Sequence, residues 1–279
     1  MNNQKCLTGT CSLINKWRYL EDDGCTSSLG LATDEFLARH LPPSPYSHTL
    51  RLYAYGERCA LVGKYQEVSS EINVEYCKTH AIAINRRPTG GGAIIMGKGQ
   101  LGVAIAMPLS EDFSLLKLSM VFKRYSLGIL LGLERLGLRG EFRRGNDILV
   151  GGKKIAGMAF ATIDDAGLFH ASLLADLDEE LMQMVLRIPR SKTATLTTAS
   201  RELGRAVTTE EMRQAVKEGY QKAFGIEMAP KPLRQEEVEE IDSLEKAKYK
   251  NPIWIFGPKS EFRSQEAEVR TKKILYSDY

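Results

Sequence analysis

The stretch "NRRPTGGGAIIMGKGQLGVAIAMP", residues 85–108, joins two arginines, three consecutive glycines and a run of apolar residues. Glycines leave out the Cβ atoms that would keep a bound molecule away from the main chain. Successive N–H groups in such a loop can bind an anion, and arginines bind phosphate or carboxylate in a bidentate way. The spacing fits neither the dinucleotide-binding pattern GxGxxG nor the phosphate loop GxxxxGKS/T. It predicts another kind of anion loop between two strands; the alternative is a tight turn with two solvated arginines.

Segments with strand patterns and segments with helix patterns lie on both sides of this loop. Period-two alternation predicts a strand over 49–56, with the strand of residues 57–65 as its neighbour. Further strands are predicted over 100–108 and 168–176. Helical spacing predicts helices over 27–41, where a serine could act as the cap, and over 71–81, 114–137, 178–188 and 208–225. The predicted fold class is α+β, with a largely antiparallel mixed sheet flanked by helices.

The composition is that of a soluble globular protein, with 279 residues, 43% hydrophobic residues and 26% charged residues. A net charge of +3 argues against a nucleic-acid binder. No stretch approaches the roughly 20 apolar residues of a membrane span, and the N-terminus is not that of a signal peptide. The cysteines form no CxxC pair, which favours reduced thiols and a cytoplasmic protein. They are Cys6, Cys11, Cys25, Cys59 and Cys77.

The chain changes character near residue 229. "PKPLRQEEVEEIDSLEKAKY" predicts a charged helix with few core positions. We therefore expect a catalytic domain over 1–228 and a small C-terminal accessory element over 229–279.

The segment "NDILVGGKKIAGMAF", residues 146–160, predicts a hairpin with a Gly-Gly turn. Alternation places Lys154 on the same side as Ala156, opposite Lys153, so Lys154 is the lysine that could face a pocket. A positioned ammonium there would stabilise charge developing on phosphorus or on an acyl oxygen. Asn146 and Asp147 fit either turn chemistry or a contact with a metal or nucleotide.

Three blocks together resemble the lipoate–protein ligase family, the relatives of biotin–protein ligase. They are residues 61–93, the "NDILVGGKKIAG" hairpin and "FHASLLADLD", and the resemblance covers about 28–226. It implies the α+β catalytic domain shared by biotin and lipoate ligases. It also implies that ATP and Mg²⁺ convert lipoate to lipoyl-AMP, and that the lipoyl group then passes to one lysine of a lipoyl carrier protein. The carrier could be of the glycine-cleavage, dehydrogenase or sulfur-metabolism type.

The resemblance also implies roles for individual residues. Lys154 matches the catalytic lysine of the family's KxxG strand, and Asp147 is the candidate ligand for Mg²⁺. His170 lies where relatives carry a histidine, although a hydrogen-bonded core histidine is an equal alternative. We expect the apolar slot for the acyl chain near Gly63, Ala93 and Ala156. The expected lipoyl-AMP-binding residues are Arg87, Thr89, Gly90, Gly91, Gly92, Ala93, Asn146, Asp147, Gly157 and His170.

The pattern departs from the family at the glycine loop, in the stretch 190–204, which is shorter and less basic than usual, and in the C-terminal region. Met96, Gly97 and Gly102 stand where relatives carry a histidine, an aspartate and an asparagine, which indicates a divergent branch. The C-terminal region has the "KYxxxxW" character of the family but is too short for a full accessory domain. Either residues 229–279 form a compact substitute or a separate chain is required.

Three other functions compete with an ATP-dependent lipoate ligase. A lipoyl or octanoyl transferase of the same fold would form an acyl-thioester on a cysteine placed shortly before the KxxG lysine. Here that place reads "GEFRRGNDILV", and no cysteine follows Cys77, so a nucleophilic cysteine would have to come from the N-terminal third of the chain, with a different geometry. A biotin ligase shares the hairpin block, but "RRPTGGGA" favours lipoate. A non-catalytic binder of lipoylated carriers would explain why positions 96, 97 and 102 lack the polar residues of the family.

Overall fold

The computed structural model describes residues 15–109, 117–143 and 145–257. The strands in this part of the chain are β1 Lys16–Cys25, β2 Tyr46–Tyr55, β3 Cys59–Val62, β4 Ala83–Arg86, β5 Ile94–Met96, β6 Gln100–Pro108, β7 Gly140–Arg143, β8 Asp147–Val150, β9 Lys153–Ile163, β10 Ala166–Leu174 and β11 Glu227–Pro230. The helices are α1 Ser27–Arg39, α2 Val68–Glu71, α3 Val74–Thr79, α4 Leu118–Arg135, α5 Glu179–Val185, α6 Arg190–Thr193, α7 Ala199–Leu203, α8 Thr209–Phe224, α9 Gln235–Leu244 and α10 Pro252–Phe256. A π-helical turn, Glu245–Tyr249, follows α9 directly.

A large mixed sheet organises the molecule, in the order β11-β1-β2-β6-β10-β9-β8-β7. β1 pairs in parallel with both β11 and β2, and every pair from β2 to β7 is antiparallel. Helices cover both faces. The predicted α+β class with a mixed sheet flanked by helices is therefore confirmed.

A smaller sheet, β4-β3-β5, lies beside the large one and carries the glycine loop between β4 and β5. The prediction that the strand within 57–65 pairs with the strand within 49–56 is wrong, because β3 belongs to this second sheet. All four residues of β3 are buried. A strand covered on both faces shows no alternation that could reveal its partner.

Each face of the large sheet has its own apolar core. On one face α4 and α8 pack against Trp17, Val103 and Phe169. The two helices approach so closely that a Cβ on Gly219 would lie 2.1 Å from the carbonyl oxygen of Gly128. On the other face α1 packs against Ala104 and Leu168. That second face carries the candidate site.

The ends of the elements follow local sequence signals. Thr208 caps α8, and Gly225 ends it in the left-handed conformation. Gly151 and Gly152 form the predicted hairpin turn with φ of +56° and +78°. The cap of α1 is Thr26, whose hydroxyl accepts from Leu29 N, and not the serine suggested by the sequence.

The C-terminal segment packs on the body of the protein through α1 and β4. The predicted boundary between 228 and 229 falls inside β11, which pairs with β1. α9 and the π-helical turn then lie along α1. Residues 258–279 of the predicted accessory element lie outside the described residues. Within the described ranges, no helix combines the length and apolar character needed to cross a bilayer.

Candidate active site

A cleft of about 580 Å³ lies between the small sheet and the α1 face of the large sheet. Its walls include the glycine loop on one side and the β8–β9 hairpin on the other. Apolar side chains line much of it, among them Leu31, Leu61, Ile94, Met96, Leu174 and Met182. The cleft therefore suits a ligand with an apolar chain and a polar end.

Small residues form the floor of this cleft. The strand register aligns Tyr53, Gly102, Ser172, Gly157 and Asp147 in one row across five strands. Neighbouring strands lie about 4.8 Å apart, so the row spans roughly 19 Å. Because the three central positions carry no side chain larger than a serine, the row leaves a track across the sheet. Tyr53 stands at one end and Asp147 at the other.

The Tyr53 end of the track is a wall. A Cβ on Gly102 would lie 2.4–2.8 Å from atoms of the Tyr53 ring, so the ring occupies the space above that glycine. The Tyr53 hydroxyl donates to Asp34 at 3.2 Å. The guanidinium of Arg51 stacks on the ring at 4.0 Å. These contacts hold the ring in place, and Gly102, a departure from the family pattern, is what makes room for it.

The shape of the glycine loop depends on one of its own residues, Gly91, and on one neighbour, Gly63. Gly91 has a φ of +94°, a conformation that other residues rarely adopt. A Cβ on Gly63 would lie only 2.2 Å from the carbonyl oxygen of Gly91. Gly63 therefore supports the loop and does not line the cleft, whereas Ala93 and Ala156, which were expected near it, do. Additional Cβ atoms at Gly90 and Gly92 would meet nothing within 4 Å.

Arg87 lies in the cleft wall, and its guanidinium binds the loop. It donates to the carbonyl oxygens of Leu61, Gly90 and Gly92, at 3.1, 2.8 and 2.7 Å. Burial lowers the pKa of Arg87 to about 10. The expectation that both arginines face an anion is wrong for Arg86, which turns away to bind carbonyls of the C-terminal segment.

Lys154 and Asp147 form an ion pair at the other end of the track, with Nζ and Oδ1 2.7 Å apart. A β-bulge opposite Ile148 and Leu149 breaks the alternation of β9. The expectation that Lys154 lies on the same side of the strand as Ala156 is therefore wrong. The lysine side chain lies over Gly157, where an added Cβ would be 3.0 Å from Nζ. The lysine still lines the cleft, as predicted.

The side chain of Asn146 is bound to the main chain of β9. Asn146 Nδ2 donates to the carbonyl oxygen of Met158 at 2.6 Å. Within the described part of the chain, no three side chains of metal-ligating type come together. Asp147 is therefore a single carboxylate, and a divalent ion there would depend on the oxygens of a bound phosphate for most of its ligands.

A buried polar network lies beneath the glycine loop. His170 Nδ1 lies 3.2 Å from Thr89 Oγ1, and His170 Nε2 lies 3.1 Å from Asp34 Oδ2. Arg51 donates to the second oxygen of Asp34 at 2.7 Å. Burial alone would raise the pKa of Asp34, but Arg51 and His170 outweigh it and hold that pKa below its usual range. The histidine thus both lines the cleft and orients Thr89, which lies behind the loop.

Sequence reasoning missed Asp34, Arg51 and Tyr53. A signal was present for Arg51, a charged residue within the apolar strand "TLRLYAYG", since a buried charge requires a partner. Of the predicted site residues, the structure brings these together along the cleft: Arg87, Gly91, Gly92, Ala93, Asn146, Asp147, Lys154, Gly157 and His170.

The cysteines in the described residues lie away from the cleft lining. Cys25, Cys59 and Cys77 are buried. Burial raises the pKa of Cys25 to about 12 and raises the pKa of Cys59 and Cys77 as well. A thiol with a raised pKa is a poor nucleophile at neutral pH.

The sequence and the fold both match known proteins. A family model for the lipoyl protein ligase A/B catalytic domain matches residues 28–221. The octanoyltransferase LipM of Geobacillus kaustophilus is 28% identical over 272 residues, which cover 86% of this chain and 98% of that protein. LipM of Bacillus subtilis is 25% identical over 272 residues, with 86% and 98% covered.

Two solved structures share the architecture. A lipoate-protein ligase A bound with ATP has a TM-score of 0.77 and 26% identity, covering 88% of this chain and 99% of that one. A bi-partite lipoate protein ligase from Thermoplasma acidophilum has a TM-score of 0.78, with 88% and 97% covered; at 24% identity it shows the fold alone. By its sequence match and its fold, the chain belongs to the lipoyl protein ligase A/B catalytic domain family, whose members include lipoate ligases and octanoyltransferases.

Proposed function

We propose that this protein transfers a medium-chain acyl group, octanoyl or lipoyl, to the ε-amine of one lysine in a lipoyl carrier protein. The observation that carries the proposal is the track of small residues that ends at Lys154. The acyl chain lies along Ser172 and Gly157, with its carbonyl near Lys154 and its tail against the Tyr53 ring, which fills the space above Gly102. The glycine loop covers the chain from the opposite side.

The chemistry requires only groups that face this cleft. The carrier amine attacks the acyl carbon, a C–N bond forms, the bond to the leaving group breaks and the amine releases a proton to solvent. Negative charge develops on the carbonyl oxygen as the amine adds. The ammonium of Lys154 stabilises that charge in a partly desolvated site, which is where such a contact is most effective. Positioning of the amine accounts for the rest of the rate enhancement, because the acyl group is already activated when it binds.

An activated thioester is the first candidate for the acyl donor. The octanoyltransferases named above match this chain over nearly their whole length, which supports a transferase more directly than an ATP-dependent ligase. The described cysteines are buried away from the cleft lining. For this form of the reaction we propose that the acyl group passes directly from the donor thioester to the carrier lysine; Cys6 and Cys11 lie outside the described residues.

An acyl-adenylate made from ATP is the second candidate, and a specific observation favours it. The described cleft presents Lys154, Asn146 and Asp147 but no thiol that could hold an acyl-enzyme intermediate. Lys154 could then contact both the acyl carbonyl and the α-phosphate. Mg²⁺, if used, would be held by Asp147 together with phosphate oxygens, and it would neutralise phosphate charge. The fit is partial, because Asp147 is already paired with Lys154.

One experiment separates these donors. Purified carrier domains are incubated with the protein and either an octanoyl thioester or free octanoate or lipoate with ATP and Mg²⁺, and the carrier mass is measured. Modification by the thioester alone establishes the transferase; modification that requires ATP establishes the ligase. A carrier that gains no mass with either donor overturns the proposal and leaves a non-catalytic binder. Carriers of the glycine-cleavage, dehydrogenase and sulfur-metabolism types are all tested.

Replacing all five cysteines by alanine tests the direct transfer. We expect the thioester reaction to persist at a similar rate, with far-ultraviolet circular dichroism as the control for folding. A folded, cysteine-free protein that loses the thioester reaction would place the acyl group on a thiol and contradict direct transfer.

A further inference from the structure

The C-terminal segment is tied to the body of the protein next to the glycine loop. Arg86, buried at the end of β4, donates from Nε to the carbonyl oxygens of Trp254 and Ile255 at 2.9 and 3.1 Å. The indole of Trp254 donates back to the carbonyl oxygen of Arg86 at 2.9 Å. One residue earlier on the same strand, Asn85 Nδ2 donates to the carbonyl oxygen of Tyr249 at 2.9 Å. The helix α10 is therefore held against β4.

The same guanidinium also holds the turn that supports the glycine loop. Arg86 Nη1 donates to the carbonyl oxygens of Gly63, Lys64 and Gln66, at 3.0, 3.1 and 2.6 Å. A planar guanidinium can serve both groups of carbonyls at once, whereas the compact ammonium of a lysine cannot. Arg86 is thus a bridge between α10 and the turn at residues 63–66.

That turn is in direct contact with the glycine loop. Lys64 N donates to the carbonyl oxygen of Thr89 at 2.9 Å. Gly63 packs so closely on Gly91 that no side chain fits between them. A continuous set of contacts therefore runs from α10 through Arg86 and the turn to the loop.

We infer that the C-terminal segment, α9 to α10, is a built-in brace for the acyl-binding loop, and that Arg86 is the positioning residue that couples the two. The inference rests on the proposed function only in assigning the acyl group to that loop. Without the bridge, the turn at 63–66 loses its anchor, and the glycine loop samples positions that no longer fit the acyl chain. Arg86 itself does not line the cleft.

A second buried arginine provides a matched control. Arg18 binds the other end of the C-terminal segment, donating to the carbonyl oxygens of Lys231 and Pro232 and to the carboxylate of Glu237. It lies on β1 and contributes nothing to the cleft lining. Arg86→Lys and Arg18→Lys therefore weaken the attachment of the same segment, but only the first disconnects the turn.

Hydrogen exchange and kinetics together test the inference in the full-length protein. In Arg86→Lys we expect the Lys64 amide to exchange at least tenfold faster, and KM for the acyl donor to rise at least tenfold with KM for the carrier unchanged. Arg18→Lys should lower Tm without either effect. Unchanged exchange at Lys64 in Arg86→Lys, or the same changes in Arg18→Lys, overturns the inference.

A second variant and the exchange comparison cover the cases in which Arg86→Lys does not fold or the wild-type protein is inactive. If Arg86→Lys does not fold, Trp254→Phe removes the return bond to Arg86 O, and the Lys64 amide should still exchange faster than in wild type; an unchanged rate counts against the brace. If the wild-type protein modifies no carrier, the proposed function fails, while the exchange comparison still decides whether Arg86 couples the segment to the loop.

Discussion

Asp147 Oδ1 lies 2.7 Å from the ammonium of Lys154, at the opposite end of a floor of small residues from Tyr53. The ion pair is partly exposed, so it contributes little to stability and leaves the lysine able to meet a ligand. The pair defines the end of the cleft where we place the reaction.

Replacing Lys154 by methionine should abolish most of the transfer. The methionine keeps the length of the side chain but removes the charge that stabilises the developing oxyanion, and a loss of about 10²-fold or more in kcat is expected. The rate of carrier acylation measures it. Lys153→Met is the control, because that neighbouring lysine is exposed on the hairpin, and its rate should match wild type. Full activity in Lys154→Met would remove the lysine from the mechanism.

Replacing Gly102 by alanine should shorten the acyl slot. The new Cβ would lie 2.4–2.8 Å from the Tyr53 ring, which Arg51 and Asp34 prevent from retreating, so the ring moves into the slot. One methylene in an apolar pocket is worth about 1–3 kcal/mol, so hexanoyl should gain roughly tenfold or more over octanoyl in kcat/KM. Competition between donors of different length measures this ratio.

The opposite change at this wall provides the control. Tyr53→Leu opens the same end of the slot and should shift preference toward longer chains. If neither variant changes the chain-length preference, the acyl tail does not reach Tyr53.

Replacing Gly63 by alanine should displace the glycine loop. The added Cβ would lie 2.2 Å from the carbonyl oxygen of Gly91, and main chain cannot yield as a side chain does. We expect a loss of about 1–3 kcal/mol in the free energy of unfolding, typical of overpacking, together with a higher KM for the acyl donor. Urea unfolding and steady-state kinetics measure the two effects.

Gly97→Ala is the matched control for that change. Its Cβ would meet the nearest atom at 3.6 Å, an ordinary contact, so both quantities should stay close to wild type. Equal behaviour of the two variants would mean that the contact between Gly63 and Gly91 has no influence on the loop.

Acid should weaken the attachment of the C-terminal segment. The hydrogen bond from Arg18 holds the pKa of Glu237 at about 2, below its ordinary value of 4.5. A carboxyl group with a lowered folded pKa stabilises the protein above its unfolded pKa, and that stabilisation disappears as the pH falls from 4.5 toward 2. The Tm difference between wild type and Glu237→Gln should therefore be largest near pH 7 and shrink across that window. A difference independent of pH would contradict the ion pair.

Local signals allowed the sequence to predict most of the elements. The strand predicted over 100–108 matches β6, Gln100–Pro108. The helix predicted over 208–225 matches α8, which Thr208 caps and Gly225 ends. Such features depend on neighbours a few residues apart, and residue type alone reveals them.

The partners of the site residues could not be predicted in the same way. Arg86 and Arg87 stand side by side, yet they bind different carbonyls, some of them 168 and 169 residues away along the chain. Any carbonyl can accept from an arginine, so residue type carries no information about which one does. The bulge that places Lys154 over Gly157 is likewise set by pairing with β8.

The central claim is that the cleft between the glycine loop and Lys154 delivers an acyl group to a carrier protein. Modification of the acceptor lysine in a purified lipoyl carrier tests this claim most directly. Intact-mass measurement of the carrier, followed by peptide mapping, is made with wild type and with Lys154→Met. We predict one octanoyl or lipoyl group on a single lysine with wild type and at most about 1% of that rate with the variant. Equal modification by both proteins, or none by wild type with any donor, would contradict the account.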